Sequence, residues 1–448
     1  MGRSVLVVGM GISGRSASSY LLHLGFHVIG VDLQKKVLEQ QAETQLLLKR
    51  GLELIGEEDL KNQKKRIAWE SVDFVVVSPG VALTNFICQE AILFKKEVIG
   101  EVELACRALT NNRWIGITGT NGKTTVTLLV NHILNESKVA AKALGNVGTA
   151  LCSSILDIQD EVIVAELSSY QLETMHTPVL DCAVILNITP DHLDRYSTME
   201  AYVKAKLSIQ NCLKQNTQLY VHELVAKNWK QDLHFFRTFG YSPASFIFSD
   251  QEALYIQGKK AVSLPQEYRG KMSHDVENFM AAYLLCKELG VSDKDFEKHF
   301  STFKKPAHRV EFVGEINGVS YYDDSKGTNL DAVVRAVESI DAPIVLIAGG
   351  VHKGASYKAW LHTFKGKVKA VCAIGQAANL LHEELSESIA VQICSTLSEA
   401  VHHGTSLCSK GDAVVLSPGC SSFDMFRDYA HRGDEFKKCV WALTEESI

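Results

Sequence analysis

WIGITGTNGKTT, running from Trp114 to Thr125, decides the architecture. Its first residues form an apolar run of strand length, its centre is a glycine turn, and an apolar helix follows. A strand that feeds a helix through a tight glycine loop is the repeating unit of a parallel α/β sheet. The loop itself, Gly119-Thr120-Asn121-Gly122-Lys123-Thr124-Thr125, has the composition of a phosphate cradle. Glycines let several backbone N–H groups converge on one anion, and the helix N-terminus adds its dipole. The Lys123 ammonium can reach β- and γ-phosphate oxygens, and the Thr124 hydroxyl can ligate Mg²⁺. Ile117 stands where the general G-x-x-x-x-G-K-T pattern wants glycine. The structural alternative is a glycine turn with an exposed lysine.

Outward from this loop the same unit recurs, so the fold expected is α/β with three domains. SVLVV leads into Gly9-x-Gly11-x-x-Gly14, HVIGVD ends at Asp32, and FVVVSPG closes at Gly80. These predict a Rossmann-like domain over residues 1–100. A central P-loop ATPase-type domain with a parallel sheet follows over 101–305, with strands EVIVAE (Glu161–Glu166) and CAVILNI (Cys182–Ile188) after the loop. A C-terminal Rossmann-like domain spans 306–448, with strands at Pro343–Ile347, Val368–Ile374 and Ala413–Leu416. No repeat of solenoid period and no Pro-, Gly- or Ser-rich linker interrupts them. Hinges are expected near residues 100 and 305.

Composition narrows the class. The 448 residues are 46% hydrophobic and 22% charged, which excludes disordered and fibrous classes. The net charge of −6 is spread along the chain, and broad binding to nucleic acid is not expected. Eleven cysteines are scattered without a CxxC pair, as buried or free thiols in a reducing compartment would be. No apolar run reaches the ~18 residues of a membrane span. Arg3 precedes a stretch too glycine-broken for a secretion signal, and Leu6 stands where a myristoylation motif needs Ser or Thr. A cytoplasmic location is expected.

Other polar residues gather at strand ends, where parallel sheets bind ligands. Asp32 lies 18 residues beyond Gly14, the spacing of a dinucleotide fingerprint, and either NAD or a UDP-sugar suits that chemistry. Glu166 ends its strand, and His192 follows CAVILNI within NITPDHLDR. A carboxylate and an imidazole there suit a metal beside ATP, though helix capping and a structural histidine account for each alone. Lys206 and Lys204 occupy one amphipathic stretch, and either reads as a surface charge. In the third domain His308-Arg309, the loop Asp323–Asn329, Gly349–Gly354 and Ser417–Asp424 are lysine- or serine-bearing turns suited to phosphate or carboxylate.

Together these segments carry a resemblance. TGTNGKTT resembles the ATP loop of the Mur ligase and folylpolyglutamate synthetase superfamily, and NITPDHLDRY, YYDDSKGTN and LSPGCSSFDMFRDYAHRGDEF are similar to Mur ligase segments. The resemblance spans Gly9 to Phe436, and no Asn-Pro-Arg signature of the family's meso-diaminopimelate ligase is present. It implies an ATP-dependent, Mg²⁺-requiring amide ligase of peptidoglycan precursor synthesis, working through an acyl phosphate as a monomer. The implied partners are UDP-N-acetylmuramoyl-L-alanine and D-glutamate. Ile12, Ser13, Asp32, Ser78, Gly80 and Asn146 would then contact the UDP substrate. Gly119 through Thr125, Asn278, Arg309, Asp324 and Lys326 would serve ATP. Two Mg²⁺ sites would draw on Thr124, Glu166 and His192, with Lys206 carbamylated by CO₂ as a further ligand. Lys123, His192 and Lys206 would be the catalytic set. Thr328, Lys353, Ser422, Phe423 and Tyr429 would form the D-glutamate pocket. Three departures stand out: Leu33-Gln34 replace a hydroxyl and an arginine, His192 and Lys206 are one residue closer than usual, and Tyr429 replaces a phenylalanine. Rival readings are a nicotinamide oxidoreductase, a non-catalytic nucleotide-binding regulator and a folylpolyglutamate-type synthetase.

Overall fold

The computed structural model describes residues 3–193, 195–270 and 272–445. The described residues form an α/β fold built on three sheets. The chain divides into two compact units, one of Met1–Ile188 with Val203–Phe303 and the other of Thr189–Tyr202 with Lys304–Ile448.

The first unit holds two sheets. In the five-stranded one the order is Glu53–Gly56, His27–Asp32, Ser4–Val8, Val72–Val77, Glu97–Gly100, all parallel. Ser4–Val8 is central and buried throughout, which is why its sequence is continuously apolar instead of alternating. Chain order reverses between Ser4–Val8 and Val72–Val77, so the loops at Gly9 and Ser78 flank a topological switch point.

The nine-stranded sheet has a parallel heart in which Trp114–Thr118 lies between Leu180–Ile185 and Val162–Glu166, with Ala141–Gly145 beyond. Helices Lys123–Glu136 and His274–Glu288 bury Val126, Val130, Ile133, Phe279 and Tyr283 in the core over it. On the far side the sheet continues through Leu213–His222, Phe236–Gly240 and Ile247–Ser249. It ends in an antiparallel meander, Ala253–Ile256 and Lys259–Ser263. This extension is an addition to the expected parallel core. Its strands from Phe236 onward are only three to five residues long and partly exposed, so they lack the long apolar runs that announce the others.

The second unit carries a six-stranded sheet ordered Glu311–Ile316, Val319–Asp323, Ala413–Leu416, Ile344–Gly349, Val368–Ile374, Ala390–Ile393. Only its first pair is antiparallel, and apolar clusters cover both faces. Nine of the eleven cysteines are buried, and all are free thiols. Among the described residues no helix is long and apolar enough to cross a membrane.

Candidate active site

In the first unit the phosphate loop leaves the buried strand Trp114–Thr118 and enters the helix at Gly122, whose φ of 86° is left-handed. A Cβ there would lie 2.4 Å from Asn278 Oδ1, so glycine is also what lets Asn278 reach the loop. Asn187 clamps the turn from the neighbouring strand end: Asn121 N–H donates to its Oδ1 at 2.8 Å, and its Nδ2 donates to Asn121 O at 3.1 Å. Thr120 N–H adds a bond to Asn187 O at 2.9 Å. The Lys123 ammonium donates to the carbonyls of Gly119 and Thr120, both at 2.9 Å. Thr124 and Thr125 are buried in the first helical turn, whose N–H groups the helix itself does not use.

Lys206 also reaches this loop. It is 2% exposed and donates to Gly119 O at 2.8 Å, whereas Lys204 is exposed on the other side of the helix Met199–Leu207. The structure thus selects between two lysines that the sequence left equal. Glu166, also 2% exposed, accepts from Asn146 Nδ2 at 2.8 Å through Oε1, while its Oε2 is buried with no hydrogen-bond partner among the described residues. A buried carboxylate oxygen left unfilled is costly, and a divalent cation satisfies it. With the Thr124 hydroxyl in the loop, this donor set is all oxygen, the chemistry that Mg²⁺ takes.

The first sheet's switch point holds Ile12, Ser13, Asp32, Ser78 and Gly80. Ser78 Oγ donates to Gly9 O at 2.6 Å. Both Asp32 oxygens accept main-chain N–H groups at 2.7 Å, Oδ2 from Met10 and Oδ1 from Gln34. Asp32 therefore braces the glycine loop. Ile12 at 71% and Leu33 at 63% exposure are apolar side chains left open in the same loops.

In the second unit, Lys353 donates to Asp191 Oδ1 at 3.1 Å and Asn329 Nδ2 to Asp191 Oδ2 at 3.1 Å. Burial alone would raise the Asp191 carboxyl, but the Lys353 and His192 charges outweigh it and hold it below the usual range. His192 sits in left-handed backbone (φ 56°), with Nε2 3.5 Å from Asp191 Oδ2. A cavity of about 10 Å³, room for one water, lies between Pro190, Asn329, Lys353 and Gly419. Thr328 precedes Asn329, whose side chain caps the helix Leu330–Ser339. Ser422 is buried and Phe423 is 74% exposed. Tyr429 O accepts from Ser325 Oγ at 2.8 Å, and its ring lies under the Lys326 ammonium, 4.9 Å from the centroid.

Asn187, Asp191, Asn329 and Arg432 were not singled out as site residues by the sequence. Asn187 and Asp191 both precede His192 just past the strand end at Ile185, the position where polar side chains point to a ligand crevice. Arg432 gave none: it is buried, bonding Ser325 Oγ, Ser325 O and Cys420 O, and thus ties the Asp323–Asn329 loop to the Ser417–Asp424 turn.

Burial pushes the Asp324 carboxyl up to about 7, against hydrogen bonds from Ser417 Oγ at 2.6 Å and Val310 N–H at 3.3 Å and the nearby Arg309 charge. Its folded value exceeds the unfolded ~3.9, so the stability it contributes is complete below about pH 4 and lost as pH rises through about 7. Asp324→Asn is therefore expected to gain stability over the parent by up to about 4 kcal/mol between pH 4 and pH 8. Melting temperatures of both proteins across that range check this, and a pH-independent difference refutes it.

Comparisons with known proteins agree with the geometry. A family model described as Mur ligase middle domain matches residues 117–286, and one described as Mur ligase, glutamate ligase domain matches 308–420. A relative from Protochlamydia amoebophila named UDP-N-acetylmuramoylalanine–D-glutamate ligase is 51% identical over 444 residues, covering 99% of this chain and 98% of its own. One of the same name from Chlamydia pneumoniae is 34% identical over 98% of each chain. In fold, the chain is similar to the MurF ligase of Thermotoga maritima solved with ADP (TM-score 0.62, 16% identity, 94% of this chain and 96% of that one). It is likewise similar to the UDP-N-acetylmuramate-alanine ligase of that organism (TM-score 0.61, 16% identity, 98% and 99%). Full-length identity of one half with a Mur ligase, and both domain models lying on the sheets that carry the polar loops, place the chain in the Mur ligase family.

Proposed function

We propose that the chain is an ATP-dependent, ADP-forming amide ligase that joins D-glutamate to UDP-N-acetylmuramoyl-L-alanine, as a cytoplasmic monomer making a peptidoglycan precursor. The observation that carries this reading is the phosphate loop with two lysines on one carbonyl and an unfilled Glu166 oxygen in the same unit. Relatives bearing that activity in their names supply the substrate pair.

Amide formation from a carboxylate and an amine is uphill in water, so the acid must be activated. A carboxylate oxygen of the muramoyl-alanine attacks the γ-phosphorus of ATP, the bond to the β,γ-bridging oxygen breaks, and ADP leaves. The nitrogen of D-glutamate attacks the acyl carbon, inorganic phosphate leaves, and the nitrogen gives up a proton. Phosphoryl transfer asks the protein mainly for position and charge compensation. Gly119 to Thr125 orient the phosphates, Lys123 neutralises the transferring group, and Asn278 backs the loop. Mg²⁺ bound at Thr124 and Glu166 would supply Lewis-acid compensation, and His192 is the residue proposed for a second ion. Lys206 amine plus CO₂ gives a carbamate and a proton, and its remaining N–H can keep the bond to Gly119 O while the new carboxylate serves as ligand. Ile12, Ser13, Asp32, Ser78, Gly80 and Asn146 are assigned to the UDP substrate, Asp32 through the loop it braces. Arg309, Asp324 and Lys326 are assigned to nucleotide, and Thr328, Lys353, Ser422, Phe423 and Tyr429 to D-glutamate. The lysine charge at 353 suits the amino acid's carboxylates.

The test is phosphate release from ATP with UDP-N-acetylmuramoyl-L-alanine and a panel of D- and L-amino acids. Release is expected with D-glutamate and to fall at least about tenfold with its L-isomer. Silence with both joining partners present refutes the reading.

A further inference from the structure

Arg309 sits in an unusual piece of backbone. His308 before it has a φ of 62° and Val310 after it a φ of 47°. A β-branched residue in left-handed backbone is strained, and such strain persists only where the surroundings over-determine it. Here they do. His308 N–H donates to Glu311 Oε2 at 2.8 Å, and Lys326 N–H donates to His308 O at 3.2 Å. Val310 N–H donates to Asp324 Oδ1 at 3.3 Å. The His308 ring closes the set, its Nδ1 2.6 Å from Asp323 Oδ2, while Asp323 Oδ1 takes Ser325 N–H at 2.9 Å.

The pair is buried, with Asp323 wholly inaccessible. Gly433 is what admits it: a Cβ there would fall 2.2 Å from His308 Nδ1 and 2.6 Å from Asp323 Oδ2. His308, Glu311 and Asp323 also lie close enough to suggest a metal site. Lys437 already supplies the cation, its Nζ 2.8 and 2.9 Å from the Glu311 oxygens and 3.8 Å from Asp323 Oδ2. The cluster is therefore a charge-compensated clamp.

We propose that His308 and Asp323 are positioning residues for the nucleotide: their buried contact, in the space left by Gly433, locks the strained turn that presents Arg309 and ties it to the Asp324–Lys326 turn. The inference rests on the reading of Arg309 as a nucleotide contact. The clamp acts through Arg309, and its effect belongs to ATP affinity alone.

Steady-state kinetics with each substrate varied separately test this. His308→Ala is expected to raise KM for ATP about tenfold, with kcat and the other two KM values within about twofold. His308→Asn, which keeps a donor and tolerates left-handed backbone, should restore most of the affinity. Arg309→Ala should raise KM for ATP as well, and His308→Ala added to it should cost nothing further, the non-additivity of residues acting as one unit. If His308→Ala does not fold, the isosteric Asp323→Asn takes its place in the same cycle. Raised KM values for all three substrates, or a double variant worse by the product of the singles, overturns the proposal while leaving Arg309 as a nucleotide contact. An unchanged KM for ATP in Arg309→Ala removes that contact and the proposal with it.

Discussion

Lys123→Ala is expected to lower kcat for ATP-driven phosphate release by about 10³-fold at saturating substrates. The ammonium is held by two carbonyls of its own loop at 2.9 Å, so its position is set before any ligand arrives. A preorganised charge lowers a phosphoryl-transfer barrier because little has to reorient as charge builds. Lys123→Arg should recover little, since a planar guanidinium does not fit a carbonyl cage shaped for a compact ammonium. The melting temperature should scarcely change, because the side chain is only half-buried and packs no core. A variant retaining more than a tenth of parental kcat refutes the assignment.

Lys206→Ala carries the second large effect, again about 10³-fold, and has a signature that separates it from Lys123. If the residue acts as a carbamate, acetate offers a replacement carboxylate and should restore part of the rate in Lys206→Ala. Acetate should do nothing for Lys123→Ala. Lys204→Ala, on the exposed side of the same helix, should behave as the parent. Rate measurements over an acetate series decide the matter: an alanine variant at the normal rate, or one that no short carboxylate helps, sinks the carbamate.

The legible part of the protein was the part where backbone chemistry leaves a mark on residue type. Glycines at 119 and 122 and the lysine after them announce the phosphate loop, since few other sequences permit that turn and charge together. Strands such as Ser4–Val8 and Ile344–Gly349 were readable because burial on both faces demands unbroken apolar runs. The extension from Phe236 to Ser263 was not, because strands of three to five residues with mixed burial and no apolar alternation resemble ordinary loops. The expected strand Cys182–Ile188 instead runs Leu180–Ile185, leaving Asn187 free of the strand to clamp the loop.

Side-chain partnership was the illegible part. Nothing in the sequence says that Asp32 spends both oxygens on main-chain N–H groups, or that Asp191 meets Lys353 across 162 positions of chain. Lys206 and Lys204 differ only in which way the helix turns them. The helix buries Val203, Ala205 and Leu207 together with Lys206, and which face turns inward is decided by packing that residue spacing does not show.

The carbonyl of Gly119 accepts from two ammonium groups at once, Lys123 at 2.9 Å and Lys206 at 2.8 Å. Bonds to a neutral carbonyl fix where each nitrogen sits without cancelling its charge. One peptide oxygen thus sets the spacing of two nitrogens drawn from separate helices, and a backbone shift at residue 119 would carry both out of register together.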